Sequence, residues 1–408
     1  MKKFILAVPA LLALAAVSCT KSEVLESNDG EIRFNVVANN ATKADAIYCN
    51  NNKPSEFTVY AENSDGKTYI NGDKITSPDG GNTWVNESGT RFWPNDLSLD
   101  FYAVVNGEID WNVEAAEGTA PASIVDFEVP TDVAAQKDLL YAVKTNQAKT
   151  DGADKMDAVA LNFRHALSQI VFNAKNTNEN LYVEVSGVSI VNVANKNTFA
   201  FPIANTDNNI KDDDHDGSYD YTINYEDGSW GKWNTLTYGA TVYPVKFETV
   251  KVEGNKTLVD LTTNATVKNE YNTNALLMLP QTSTAWNPAD VPAPGVNGNA
   301  DNGSYFLVNC AIYNVSGDSF DPTVDTPLWA SQAEHKQVAI PMTINWEQGK
   351  KYIYTFIFGE GGGYIPDPDP DPDPDPNPGP DPVLIPVTFE VTVDDFVEVP
   401  ATDVEMGL

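Results

Sequence analysis

Apolar and polar residues alternate with a period of two in many short stretches of the chain. This alternation predicts β-strands that bury one face and expose the other. Clusters of Asn, Asp, Gly and Pro separate the stretches, and these residues form tight turns. Many short strands joined by turns predict an all-β protein built of β-sandwiches. The predicted strands cover residues 32–37, 57–61, 97–105, 124–129, 167–174, 182–193, 241–252, 305–315 and 351–358.

Helical periodicity is nearly absent from the sequence. Residues 134–144 are the best candidate for a short helix, and residues 157–167 fit either a helix or a strand. A polar stretch ends shortly before strand patterning resumes at Val159. We therefore expect two domains, an N-terminal one at 44–158 and a C-terminal one at 159–360.

The N-terminus has the pattern of a bacterial export signal. Two lysines precede an apolar stretch that is shorter than the about 20 residues a membrane-spanning helix needs. Small residues and then Cys19 follow this stretch. We expect a signal peptide at 1–18 and a lipid on Cys19, with a polar tether after it. An ordinary secretory signal with an incidental cysteine is the alternative.

Near the C-terminus, proline alternates with aspartate, asparagine or glycine. This composition cannot form a core, and it favours an extended polyproline arm at 361–382. The alternating part of the arm, residues 366–382, would reach roughly 50 Å. The segment 383–408 follows and contains one more amphipathic strand. The apolar positions of that strand are Val387, Phe389, Val391 and Val393.

The first and last strands share one pattern. Ile32-Arg33-Phe34-Asn35-Val36 and Val387-Thr388-Phe389-Glu390-Val391 both read β-branched, polar, Phe, polar, Val. Two such strands can occupy the same groove, so the last strand of one molecule is expected to replace the first strand of another. Each large side chain buried in this way contributes about 1.5–3 kcal/mol. Repeated transfer between like subunits gives an open, head-to-tail polymer.

A removal site follows the first strand. The residues after it are polar and include Lys43 before Ala44, and exposed polar loops are preferred sites of proteolysis. Cleavage after Lys43 would remove the lipidated leader, residues 19–43. The leader would carry away the apolar face of the first strand, which consists of Ile32, Phe34 and Val36.

Three alternatives to this interpretation stay open. The last strand can fold back onto its own domain, with the arm as a spacer. Alternating apolar pentamers are common in β-proteins, so the matching patterns can be coincidental. Lys43 can be an ordinary solvated lysine.

Seven short motifs occur in one order along the chain. They are the small residues before Cys19, which resemble a lipobox, then Thr42-Lys43-Ala44, Phe92-Trp93-Pro94, Asp138-Leu139-Leu140-Tyr141-Ala142, Phe163-Arg164-His165-Ala166-Leu167-Ser168, Leu277-Met278-Leu279-Pro280-Gln281 and Trp346-Glu347-Gln348-Gly349-Lys350-Lys351-Tyr352. In these motifs the chain resembles the fimbrillins of Bacteroidota, the subunits of type V pili. The resemblance implies two transthyretin-like β-sandwich domains in tandem, outer-membrane transit as a lipoprotein, removal of the first strand and strand-mediated assembly. Processing in that family often follows arginine, whereas Lys43 stands here.

The chain is strongly acidic, with a formal net charge of −33. Such a surface repels nucleic acid phosphates and anionic lipid head groups, so we expect no nucleic acid partner and membrane contact only through the precursor lipid. The expected partners are neighbouring subunits, a processing protease, and ligands on host or bacterial surfaces. Besides Cys19 the chain contains Cys49 and Cys310, which either pair or remain separate thiols.

Metal and catalytic signals are weak. Asp212, Asp214 and Asp216 have the spacing of a calcium loop, but Ile223 stands where an EF-hand needs glutamate. A solvated acidic loop is therefore favoured, and no cofactor is expected. The chain has three histidines and no nucleophile or zinc motif, which predicts a non-enzymatic protein.

Together these patterns predict a structural subunit of a cell-surface fimbria. It would be exported as an outer-membrane lipoprotein precursor, processed, polymerised by donor-strand exchange, and would contribute to adhesion. The alternative is a surface-anchored glycan-binding protein or tip adhesin. Its sugar-stacking platforms would be Trp84, Trp93, Trp230 or Trp233.

Overall fold

The fold is almost entirely β-strand, as the alternation predicts. The computed structural model describes residues 30–38, 53–114, 118–150, 156–206, 228–236, 239, 241–254, 257–262, 275–287, 303–317, 319–359 and 387–395. The strands within these ranges are β1 (Phe34–Ala38), β2 (Glu56–Asn63), β3 (Lys67–Thr76), β4 (Val85–Asn86), β5 (Ser98–Val105), β6 (Asp110–Trp111), β7 (Ala122–Glu128), β8 (Leu140–Ala148), β9 (Val159–His165), β10 (Ser168–Asn176), β11 (Leu181–Val193), β12 (Lys196–Ala200), β13 (Lys232–Trp233), β14 (Thr241–Val252), β15 (Val259–Asp260), β16 (Leu276–Met278), β17 (Gln281–Ser283), β18 (Tyr305–Asn314), β19 (Thr326–Trp329), β20 (Lys336–Pro341), β21 (Ile344–Trp346), β22 (Lys350–Phe358) and β23 (Val387–Asp395). The prediction of an all-β protein is confirmed.

The N-terminal half forms a seven-stranded sheet in the order β1-β9-β8-β5-β2-β3-β4. In β2 the buried positions Phe57, Val59 and Ala61 alternate with more exposed ones, which is the period-two pattern of a strand with one buried face. These side chains and those of β1, β5 and β9 build one hydrophobic core. The core lies on one face of the sheet. We call it the N-terminal core.

The C-terminal half is a β-sandwich of two five-stranded sheets. One sheet has the order β15-β10-β22-β23 with β16 paired to β10, and the other has the order β14-β11-β18-β19 with β20 paired to β18. Their inner faces meet through aromatic rings, since Phe306 of β18 lies 5.9 Å from Phe172 of β10 and 5.3 Å from Phe356 of β22. This interlocking core drives the packing of the two sheets.

Two smaller sheets complete the fold. A four-stranded sheet in the order β13-β12-β7-β6 joins the two halves, because β7 precedes and β12 follows the predicted division at residue 158. A two-stranded sheet pairs β17 with β21. Tyr141 of the N-terminal sheet lies 4.8 Å from Phe199 of β12, so the second face of that sheet is covered too.

The predicted domain division falls directly before β9. The structure pairs β9 with both β1 and β8, so β9 lies in the N-terminal sheet although it follows residue 158. Residues 157–167, which fit a helix or a strand by sequence, contain this strand. The domain boundaries themselves stay predictions.

The helix predicted at 134–144 is wrong. A single 3-10 turn spans Val133–Ala135, and the chain enters β8 at Leu140. The reason is burial on both faces of β8, which makes its first four residues a continuous apolar run that lacks the alternation of a half-buried strand. In the part of the chain that the structure describes, no helix is long and apolar enough to cross a membrane.

Candidate functional site

The first strand is anchored by its apolar face. Ile32, Phe34 and Val36 are 5%, 7% and 1% exposed and belong to the N-terminal core, whereas Asn35 between them is exposed. Phe34 makes edge-to-face contacts with the rings of Phe57 at 5.9 Å and Phe101 at 5.7 Å. The alternation seen in the sequence therefore corresponds to one inward and one outward face.

β1 occupies the edge of the seven-stranded sheet. It runs parallel to β9, with Phe34 opposite Val159 and Ala38 opposite Phe163. A parallel neighbour must come from a distant part of the sequence, because a tight hairpin cannot join parallel strands. The strand next to β1 is thus more than a hundred residues away along the chain, so β1 is held by contacts with distant residues.

Besides β9, a second segment of the chain holds the residues that precede β1 and forms a second wall beside them. The backbone N–H of Ile32 donates to the carbonyl of Arg91 at 2.8 Å, and the N–H of Trp93 donates to the carbonyl of Gly30 at 2.7 Å. Glu31 and Phe92 lie opposite each other as an isolated antiparallel bridge. We call the segment Arg91, Phe92 and Trp93 the clasp.

Side chains of β3 fix the clasp. The Arg91 guanidinium donates from Nε to Asp73 Oδ2 at 2.7 Å and from Nη2 to Asp73 Oδ1 at 2.8 Å, a bidentate arrangement. Asn86 donates to the same carboxylate at 2.8 Å. The Arg91 bonds hold the pKa of Asp73 below its ordinary value, although burial acts in the opposite direction and Asn86 assists. The Tyr69 hydroxyl donates to the carbonyl of Phe92 at 2.6 Å.

The last strand lies on its own chain. β23 pairs antiparallel with β22 over nine residue pairs, from Lys350 opposite Asp395 to Phe358 opposite Val387. The ring of Phe389 packs 5.4 Å from Phe306. The folded-back arrangement, one of the alternatives left open by the sequence, is therefore the one in this monomer. The roles predicted for Val387, Phe389, Val391 and Val393 in a neighbouring subunit stay predictions.

A family comparison connects these features to known proteins. A model described as fimbrillin-like matches residues 36–367. The chain belongs to the fimbrillin-like family. The resemblance to fimbrillins that the seven motifs indicated is confirmed.

Two solved structures are similar to this fimbrillin-like chain. A fimbrial protein from Bacteroides vulgatus ATCC 8482 is 14% identical, with 90% of this chain and 100% of that chain covered and a TM-score of 0.49. A fimbrilin from Porphyromonas gingivalis W83 is 12% identical, with 92% and 100% covered and a TM-score of 0.39. The comparison with curated proteins finds no match.

Three of the fimbrillin-like motifs meet in a buried junction that sequence reasoning did not identify. The Tyr141 hydroxyl donates to Gln348 Oε1 at 3.1 Å and accepts the N–H of Gly231 at 3.1 Å, while Gln348 Nε2 donates to the carbonyl of Gly231 at 2.6 Å. Burial raises the pKa of Tyr141 to about 12, against the nearby charge of Arg164. In the sequence, the signal that could have indicated this junction was the presence of polar residues within otherwise apolar motifs.

The same junction contains three ionisable side chains, Arg164, His165 and Asp138. Arg164 donates to the carbonyl of Ser229 at 2.8 Å, and its guanidinium carbon lies 4.1 Å from the centre of the Trp230 ring. His165 Nδ1 and Asp138 Oδ2 are 2.6 Å apart. These contacts tie β8 and β9 of the N-terminal sheet to the turns before β13 and β22, so the junction fastens the two halves of the molecule together.

The four tryptophans proposed as sugar platforms pack against the protein itself. Trp93 and Trp230 are buried, and Trp84 and Trp233 are half-buried. Trp84 lies 5.1 Å from Phe57, and Trp233 donates to the carbonyl of Ala166 at 2.6 Å. These contacts favour a packing role for the four side chains.

A further polar cluster lies on the outward face of β11. Glu184 Oε1 accepts bonds from Tyr182 at 2.6 Å and Gln332 at 2.7 Å, and His335 lies between Glu184 Oε2 at 3.4 Å and Ser186 Oγ at 2.7 Å. Burial raises the pKa of Glu184, but the three hydrogen bonds together lower it below its ordinary value. The cluster fastens the loop between β19 and β20 onto the sheet.

Several predicted positions lie outside the described residues. They are the signal peptide, Cys19, Cys49, Lys43, Ala44, the arm at 361–382 and the acidic positions Asp212, Asp214 and Asp216. Cys310 is a buried free thiol. Among the described residues, no group of three or more histidine, cysteine, aspartate or glutamate side chains is arranged to hold a metal ion.

Proposed function

We propose that this fimbrillin-like chain is a structural subunit of a cell-surface fimbria and contributes to adhesion. It would travel to the outer membrane as a lipoprotein carrying its lipid on Cys19. A protease would cut after Lys43 and expose Ala44 as the new N-terminus. The subunit would then polymerise when β23 of a neighbour fills the cleft that β1 leaves.

The burial of the first strand carries this proposal. Ile32, Phe34 and Val36 fill one side of the N-terminal core, yet β1 is an edge strand with a predicted cut directly after it. Removing β1 would expose this core to water, at a cost of about 1.5–3 kcal/mol for each large side chain. A strand with the same alternation would remove that cost, and β23 has the matching sequence. Membership of the fimbrillin-like family supports the same assembly role.

One position separates the two uses of β23. Val391 is 42% exposed where β23 pairs with β22, but in the exchanged strand it would turn into the N-terminal core with Phe389. Val391→Asp is therefore expected to leave the monomer folded and to abolish heat-resistant ladders on gels, because a carboxylate would have to be buried unpaired. The conservative Val391→Ile is the control and is expected to retain the ladders.

Two measurements decide the proposal. Ladders that form normally with Val391→Asp, or that persist after deletion of 383–408, would contradict donor-strand exchange. The N-terminal residue of protein shed from whole cells tests processing separately. Ala44 supports cleavage after Lys43, and an acylated Cys19 on all mature protein contradicts it.

A further inference from the structure

Residues 30–38 would leave with the cut leader, and they contact two separate walls of the fold, the clasp and β9. Residues Ile32 and Gly30 are bonded to the clasp, and residues 34–38 are paired with β9. β9 is the neighbour of β1 at one end of the seven-stranded sheet, while the clasp is fastened to β3 near the other end. Departure of this nine-residue segment would therefore remove the hydrogen-bond partners of backbone groups on both walls at once.

We propose that the clasp is the second wall of the strand-accepting cleft and sets the register of the incoming strand. The occupant is β23 of a second copy of this chain, with Phe389 in the place of Phe34. This inference rests on the proposed function and specifies the partner's alignment. Asp73 acts as a positioning residue, because it orients Arg91 and does not touch the incoming strand.

Side-chain size selects this register over its neighbours. With Phe389 at the Phe34 position, Val387 replaces Ile32 and Val391 replaces Val36. A shift of two residues in either direction would put a valine between the Phe57 and Phe101 rings and leave a cavity there. It would also move Phe389 to the position of Ile32 or Val36, which are 5% and 1% exposed, and overpack the core. A shift of one residue would turn the apolar face outward.

The backbone bonds of the clasp agree with the same register. They use the N–H of residue 32 and the carbonyl of residue 30, so the N–H of residue 31 takes no part in them. In the proposed alignment Pro386, which has no N–H, falls at position 31. Ile385 falls at Gly30, whose φ of 88° disfavours a β-branched residue. The bond from Val387 N–H to the Arg91 carbonyl is therefore expected to be the stronger of the two.

The ion pair keeps the clasp in place when the cleft is empty. Asp73 is 3% exposed and accepts both guanidinium bonds of Arg91, and Tyr69 holds the carbonyl of Phe92 from the same strand. Without β1, the Arg91 carbonyl and the Trp93 N–H lose their backbone partners. The orientation of these two groups would then depend on the links from the clasp to β3. A wall that is already oriented loses less conformational entropy when it binds a strand.

Disulfide cross-linking tests the register. The accepting subunit carries Ala160→Cys, because Ala160 lies opposite Asn35 in the β1–β9 ladder. The donating subunit carries a cysteine at Thr388, Glu390 or Thr392, in a Cys49→Ser background without the lipidated cysteine, and the two subunits differ in size by a tag. The expected result is a cross-linked dimer with Glu390→Cys and little with the other two. Dominant cross-linking at Thr388 or Thr392 would overturn the proposed register.

The rate of ladder growth tests the clasp. Asp73→Asn is expected to slow growth about tenfold, which corresponds to losing one charge-assisted bond. Tyr69→Phe removes the second link without changing charge and should slow growth less. Glu56→Gln is the matched control, since it breaks an exposed ion pair to Lys74 of the same strand β3.

The outcomes separate the two proposals. Unchanged growth in both Asp73→Asn and Tyr69→Phe, with thermal unfolding showing folded monomers, would overturn the role of the clasp while exchange itself stands. If the unmodified protein forms no ladders after the leader is cut, and none of the three engineered cysteine pairs gives a cross-link, donor-strand exchange fails, and this inference fails with it.

Discussion

The retention of the cut leader should depend mainly on Phe34. In the test, a specific protease site is placed between Thr42 and Lys43 of the lipid-free chain, so that cleavage leaves the first strand bound without a covalent link. Phe34→Ala is compared with Asn35→Ala. The two residues are adjacent on β1, but Phe34 is buried between Phe57 and Phe101 and Asn35 is exposed.

The size of the effect follows from the burial. Truncating a buried phenylalanine to alanine typically costs 3–5 kcal/mol, and an edge position favours the lower end, about 3 kcal/mol. Because each 1.4 kcal/mol corresponds to a factor of ten, the leader is expected to bind roughly 10²-fold more weakly. Asn35→Ala removes no buried surface, so its effect is expected to stay within about 0.5 kcal/mol.

The assay measures the release of the cut leader. A large excess of unlabelled leader peptide prevents rebinding, and mass spectrometry follows the labelled leader that remains with the protein. The reasoning requires faster release for Phe34→Ala than for Asn35→Ala by well over tenfold. Equal release from the two variants would show that the apolar face of β1 does not hold the leader, and the cleft would lose its physical basis.

Three further predictions concern the body of the protein. Tyr141 has a pKa raised from 10.0 to about 12, so between these pH values it keeps its proton in the folded state and loses it in the unfolded state. The free energy of unfolding is therefore expected to fall as the pH rises from 10 to 12. An alkaline unfolding curve with tyrosinate absorbance checks this, and a stability that stays flat over that range would contradict it. Gln348→Ala removes one hydrogen-bond partner of the Tyr141 hydroxyl and of the Gly231 carbonyl in a buried site. The free energy of unfolding, measured by urea titration, should therefore drop by about 1–3 kcal/mol. A drop below about 0.5 kcal/mol, which is typical of a surface substitution, would show that the junction is not stabilising. Burial raises the pKa of the Cys310 thiol and blocks the access of reagents, so a thiol reagent should label Cys310 only after unfolding. Rapid labelling of the native protein at Cys310 rather than at Cys49 would contradict this burial.

Much of the secondary structure could be predicted from the sequence. Period-two alternation located the first strand, because Phe34 and Val36 face the core and Asn35 faces solvent. The same reasoning failed at 134–144, where β8 is buried on both faces and its apolar run resembles a helix. A one-dimensional pattern reports the burial of a strand, and it loses the period when both faces are covered.

The candidate site was only partly predictable. The sequence identified Ile32, Phe34 and Val36 as a buried face, but it gave no reason to expect Asp73 and Arg91 beside them. A buried carboxylate paired with arginine looks the same in sequence as any surface pair of charges. Eighteen positions separate the two residues, and only their convergence in the fold reveals that they support the clasp.

The sequence by itself determined which residues of the first strand point inward, because side-chain alternation is a local property of extended backbone. It also determined the acidic charge and the proline-rich arm, which depend on composition alone. The tertiary structure decided that β1 runs parallel to β9, that the clasp holds the residues before it, and that β23 lies against β22 of its own chain. An alternating pattern is the same in either direction and against any neighbour, so strand direction, register and partner are set by contacts between distant residues.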